Sequence, residues 1–133
     1  MRTLFFQVAL IAILLASLTG IVLVAQGNAE AAKVANPVVA TPESIAAGQP
    51  IYRRYCAACH GLNAEGGAGN DLTPPAPDLT DAEWKGGSSD GEVFSVIKNG
   101  VPPELNMEAW GDRIKDMDIW NVVNYLRSLA KKK

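Results

Sequence analysis

Cys56-Ala57-Ala58-Cys59-His60 is the stretch on which the reading of this chain turns. It holds the only two cysteines and the only histidine among 133 residues. On a helical turn, residues i, i+3 and i+4 share one face, so both thiols and the imidazole present themselves together. Three ordinary readings compete. A thioredoxin-type redox pair wants a βαβ context, which the sequence lacks. A structural zinc site needs four ligands, and Cys56, Cys59 and His60 are only three. A plain disulfide gives His60 no purpose.

C-x-x-C-H following an export segment is the attachment signature of a c-type haem. The two thiols add to the two vinyl groups on one porphyrin edge, and the same turn carries the His60 ring beneath the iron. With one histidine in the chain, bis-His ligation within it is impossible. The sixth ligand is then a methionine, another weak donor, water or nothing. Met1 lies at the apolar amino terminus, which leaves Met107 and Met117. Met107 follows Asn99-Gly100-Val101-Pro102-Pro103-Glu104-Leu105-Asn106, a Pro/Gly loop able to lay a side chain across an open haem face. Met117 falls where a helix begins. Met107 is therefore the expected ligand, because His/Met pairing is the common electron-transfer arrangement.

Upstream, residues 4–25 carry no charge and only Gln7, Ser17, Thr19 and Gly20 as mild polar or small exceptions. As a helix they would span about 33 Å, enough to cross a bilayer core. Residues 1–25 are expected to be a signal anchor, a single transmembrane helix. A cleaved signal is the alternative, with Ala29-Glu30-Ala31 offering small residues at cleavage spacing. Either way Arg2 stays on the cytoplasmic side and the rest is exported. The expected location is the bacterial inner membrane with the domain on the periplasmic side, or the periplasm itself after cleavage. Residues 26–40 read as a flexible tether, residues 41–130 as one small domain, and 131–133 as a basic tail. Between Thr41 and Ala130 seven basic residues face thirteen acidic ones, net −6, which argues against nucleic acid as a partner.

The remaining pattern is helical. Thr41-Pro42-Glu43 is a helix start, and the helix is expected to run to about Ala58. Glu92 to Asn99 reads as a short middle helix ended by Gly100. Ile119, Val122, Val123, Leu126 and Leu129 form one face of a last helix. No segment alternates with a strand's period. In this order the chain resembles the class I monohaem cytochromes c over about Thr41 to Leu129. The resemblance rests on the haem motif, on Gly48 and Tyr52 four residues apart, on Met107-Glu108-Ala109-Trp110-Gly111, and on the last helix. It departs from the family where Glu108 follows the axial methionine in place of a common proline. Pro50 lies inside the first helix, and Lys115 stands where a capping Ser or Thr is usual, so Asp116 is expected to take the cap.

The resemblance implies an all-α cytochrome c-like domain of three to four helices around one covalently bound haem c, behind one N-terminal transmembrane helix. It also implies that a proline carbonyl in Leu72-Thr73-Pro74-Pro75-Ala76-Pro77-Asp78-Leu79 holds the second ring nitrogen of His60. Pro77 is the first choice and Pro75 the second. Trp110 is the expected haem neighbour, Trp120 an expected core residue, and Trp84 a candidate to touch the haem or its propionates. The expected function is electron transfer, as a carrier or a cytochrome subunit of a respiratory or dehydrogenase chain. The chain is not expected to be an enzyme by itself. Its partners should be redox donors and acceptors, with no small-molecule substrate. The alternative is a haem-based gas sensor or catalyst with an open distal site.

Overall fold

In a computed structural model, residues 28–67, 72–101 and 107–130 are described. Four α-helices carry them: α1 (Pro42–Tyr55), α2 (Ala57–His60), α3 (Asp90–Asn99) and α4 (Asp116–Leu129), preceded by a single 3-10 turn at Ala31–Lys33. No strand forms among the described residues; one isolated antiparallel bridge pairs Val101 with Met107. The anchor expected over residues 1–25 lies outside the described residues, and none of the described helices is long and apolar enough to cross a membrane.

The start of α1 follows its sequence signal. The Thr41 hydroxyl accepts from Ser44 N–H at 3.2 Å and the Ser44 hydroxyl accepts from Thr41 N–H at 3.0 Å. This reciprocal cap, with Pro42 in the first turn, satisfies donors that a bare helix end leaves orphaned. Pro50 is accommodated without ending the helix. The expected run to Ala58 is interrupted, however. At Cys56 the backbone departs from helical geometry, φ −113°, and α2 restarts as one separate turn that ends at Gly61, φ 82°. Gly61 accepts this conformation because it carries no Cβ.

The frame of the domain is α1 crossed on α4. The crossing is close because Gly48 has no side chain. A Cβ there would sit 2.1 Å from the carbonyl oxygen of Asn121 and 3.0 Å from Tyr125 Cβ. One turn on, the Tyr52 and Tyr125 rings meet at 5.4 Å. Around them Ile119, Val122, Val123 and Leu126 are buried, with Trp120 stacked on Phe94 of α3 at 4.0 Å. Trp120 is thus a core residue. The α3 helix is closed at its start by Ser89 and Glu92, which cap each other. The α4 helix begins differently from expectation. Lys115, not Asp116, occupies the cap position and offers no side-chain bond. Asp116 enters the first turn, where its charge suits the helix dipole, and pairs with Lys98 at 2.8 Å.

The flexible tether expected over residues 26–40 needs correction for the part described. Residues 28–40 lie against α3 and α4. Asn36 Nδ2 donates to Asn124 Oδ1 at 2.9 Å, and Asn124 Nδ2 donates to the Val38 carbonyl at 3.0 Å and to Ser44 Oγ at 3.1 Å. Val38 packs on the core. Gly91 in α3 makes room for the arm: a Cβ there would lie 2.0 Å from the Ala31 carbonyl oxygen. Composition suggests mobility because small Ala, Val and Asn residues show no helical or strand period. It did not reveal that Asn36 would meet a buried amide 88 residues away.

Candidate haem site

Sequence folds locally to present the three motif residues. Cys56 N–H donates to the Tyr52 carbonyl at 2.8 Å, and His60 N–H to the Cys56 carbonyl at 2.9 Å. The turn is pinned from inside by the fully buried Tyr52, whose hydroxyl donates to the Gly61 carbonyl at 2.7 Å. Burial pushes the Tyr52 hydroxyl well above its ordinary value, so it stays a donor. Burial also pushes the Cys56 thiol up to about 12, with Cys59 adding to the rise. A thiol held this high forms little thiolate near neutral pH. Cys59 is exposed, and the two cysteines are not bonded to each other. Among the described residues no three or more His, Cys, Asp or Glu side chains converge on a metal position.

His60 is partly buried, and that burial lowers its pKa below the ordinary imidazole value; the Pro77 carbonyl opposes the shift. His60 Nδ1 faces that carbonyl at 3.4 Å, long for a hydrogen bond. A carbonyl only accepts, so the contact selects the tautomer with its proton on Nδ1 and leaves the lone pair on Nε2. The loop brings Pro77 there through its own backbone. Gly66 N–H donates to the His60 carbonyl at 2.9 Å, Gly67 N–H to the Ala76 carbonyl at 3.0 Å, and Leu79 N–H to the Ala64 carbonyl at 2.7 Å. Gly66, φ 74°, is required at this point, since a Cβ would fall 2.5 Å from the Pro77 carbonyl carbon. No such contact is seen for Pro75.

The Met107 segment reaches the same neighbourhood from the other end of the chain. Val101 N–H donates to the Met107 carbonyl at 2.9 Å, and Trp110 N–H to the Ile97 carbonyl at 3.0 Å. Met107 and Trp110 are partly buried against the core. The Trp110 ring meets Tyr55, the residue before Cys56, edge-on at 5.6 Å. Met117 instead points outward, 59% exposed. Sequence reasoning missed Tyr55, Glu108 and Arg113. Arg113 lies over the Trp110 ring at 4.1 Å and pairs with Glu108. Their opposite charges flanking an aromatic at short spacing were the available signal.

Trp84 supplies a further observation. Its Nε1–H is buried and finds no partner among the described residues, while Arg127 lies over its ring at 5.1 Å. A buried orphan donor costs about 1–3 kcal/mol unless an acceptor arrives. The carboxylate of a bound porphyrin is an acceptor of the right kind. Together with two thiols and a lone-pair imidazole on one turn, the donor set fits a haem.

Comparison with known proteins agrees. The family model described as cytochrome C oxidase, cbb3-type, subunit III matches residues 43–126, more than half of the chain. The chain belongs to this family of c-type cytochromes. Relatives include the cbb3-type cytochrome c oxidase subunit CcoP of Azospirillum brasilense, 33% identical over 83 residues, covering 62% of this chain and 28% of that protein. Subunit FixP of Bradyrhizobium sp. strain ORS 278 is 36% identical over 85 residues, covering 64% and 27%. The chain therefore spans under a third of the length of these relatives. Among solved structures, cytochrome CL of Methylophaga aminisulfidivorans superimposes with a TM-score of 0.55 at 25% identity, covering 67% of this chain and 55% of that one. Membership of this c-type cytochrome family implies a covalently bound haem c, the cofactor expected from the sequence.

Proposed function

We propose that this chain is a single-haem electron-transfer module of a respiratory complex, delivering or relaying one electron at a time between protein partners. The observation that carries the reading is the His60 turn. Its imidazole keeps a lone pair on Nε2 because Nδ1 faces the Pro77 carbonyl, and both thiols stand within the same turn. In this reading Cys56 and Cys59 hold the porphyrin edge through thioethers. His60 and Met107 would hold the iron, with the Pro77 carbonyl orienting the His60 ring. Trp110 would border the haem, and Trp84 Nε1 would donate to a propionate. The haem supplies one-electron chemistry when bound.

The chain's residues then set potential and access. A thioether from Met107 would favour ferrous iron. Apolar walls from Tyr55, Leu79 and Trp110 disfavour the extra charge of the ferric state. In this reading residues 1–25 anchor the module at the inner membrane, with the domain on the periplasmic side. Its net-acidic surface suits a partner with a basic patch, and encounter rates should fall with salt.

The test is expression of the full chain in cells that mature c-type cytochromes. Expected are a coloured protein that keeps its pigment in acid acetone and a sulfur-to-iron charge-transfer band in the ferric state. Intact mass should equal the whole chain plus one haem. A ferric spectrum without that band, together with ready carbon monoxide binding on reduction, would favour a gas-sensing or catalytic site instead.

A further inference from the structure

We propose that Glu108 and Arg113 lock the Met107 segment in place, making Arg113 a positioning residue for the sixth ligand. The proposal rests on the reading of Met107 as that ligand. The backbone of the segment is tied at two points, the Met107 carbonyl to Val101 N–H just beyond α3 and the Trp110 N–H to the Ile97 carbonyl within α3. Glu108 and Ala109 lie between these ties, and Arg113 grips both. Its Nη2 donates to Glu108 Oε2 and approaches the Ala109 carbonyl at 3.4 Å. The guanidinium also covers the Trp110 ring at 4.1 Å. That ring in turn meets Tyr55 beside Cys56. One side chain thus links the residue after Met107 to the aromatic pair that borders the attachment turn.

The position of Glu108 gives this contact its point. A proline following the methionine would hold φ near −65° by its ring alone. Glutamate leaves that torsion free, so the constraint has to come from outside the backbone. A planar guanidinium can donate to a carboxylate and stack on an indole at once, which a lysine ammonium does less well. An exposed ion pair by itself contributes little, and both partners here are substantially exposed. The stack on Trp110 is what turns a surface pair into a restraint on the loop.

Imidazole binding to the ferric full-length holoprotein reads the lock, because imidazole must displace Met107 to reach iron. Arg113→Leu and Glu108→Gln should each raise apparent imidazole affinity about three- to tenfold, with the charge-transfer band intact before addition. Arg113→Lys should fall between. The decisive variant is Glu108→Pro combined with Arg113→Leu, which should return imidazole affinity to the wild-type level and remove its dependence on salt. Unchanged affinity in the single variants, or failure of the proline to restore it, overturns the lock. A wild-type ferric spectrum with no charge-transfer band overturns the ligand assignment itself and the lock with it, so the two failures are told apart by the first spectrum.

Discussion

The two sides of the haem site are held by different kinds of force. On the attachment side, Cys56, Cys59 and His60 are placed by one helical turn, by the buried Tyr52–Gly61 hydrogen bond and by the Pro77 carbonyl. On the methionine side, Met107 is placed by a single bridge to Val101, by Trp110 against Tyr55, and by an exposed Arg113–Glu108 pair. The first is local and shielded; the second is assembled from distant residues, partly in water. The difference teaches where this cytochrome is stiff and where it can open.

The comparison breaks most completely on the attachment side. Substituting His60→Ala or Cys59→Ala should abolish the native holoprotein spectrum, and a Cys56→Ala/Cys59→Ala protein should surrender any residual pigment to acid acetone. Met107→Ala tests the other side and should give the opposite pattern. Haem stays attached, the charge-transfer band disappears, the potential falls, and reduced protein binds carbon monoxide. Loss of covalent haem in that variant would erase the distinction drawn here. Gly48→Ala probes the frame under the attachment turn. With a Cβ forced to 2.1 Å from the Asn121 carbonyl oxygen, the helices must separate. The expected cost is about 3 kcal/mol or more, read as a lowered midpoint in chemical denaturation.

Two smaller effects sharpen the contrast. Trp84→Phe keeps the ring and removes only the orphan N–H. If that group meets a haem propionate, holoprotein should lose about 1.5–3 kcal/mol, while an orphan left without an acceptor would make the same change stabilising. The sign alone decides. Ser89→Ala should cost about 1 kcal/mol by removing the cap of α3, the helix to which the methionine segment is tied. Glu92 carries a related pH dependence. Hydrogen bonds from the Ser89 backbone and side chain hold its pKa below the ordinary value. Its stabilising contribution is therefore complete above roughly pH 4.3 and is lost as pH falls through the lower folded value. Thermal melts of wild type and Ser89→Ala should converge as that range is crossed.

The same contrast explains what was legible in advance. The attachment motif, the Gly48 crossing, the cap at Thr41 and the apolar face of α4 are written at spacings of three or four residues. Such spacings are local, so periodicity carries them. Met107 is expected by elimination and Pro77 from the family resemblance, and the Pro77 carbonyl lies opposite His60 Nδ1. The arm at residues 28–40, the Trp110–Tyr55 contact and the break of α1 at Cys56 were not legible. Each depends on groups far apart in sequence or on a local backbone distortion that no residue type announces. Lys115 at the cap of α4 is a milder instance, since packing of Ile114 and Ile119 sets where that helix begins.

The docked arm has one consequence for how the module would work beside a membrane. Had residues 26–40 swung freely, the domain could have searched a broad hemisphere above the lipid. Because Asn36 and Val38 are hydrogen-bonded to Asn124, residues 28–40 move with the domain and add no reach of their own. Partners would then meet a haem domain that turns and drifts as one body with its arm.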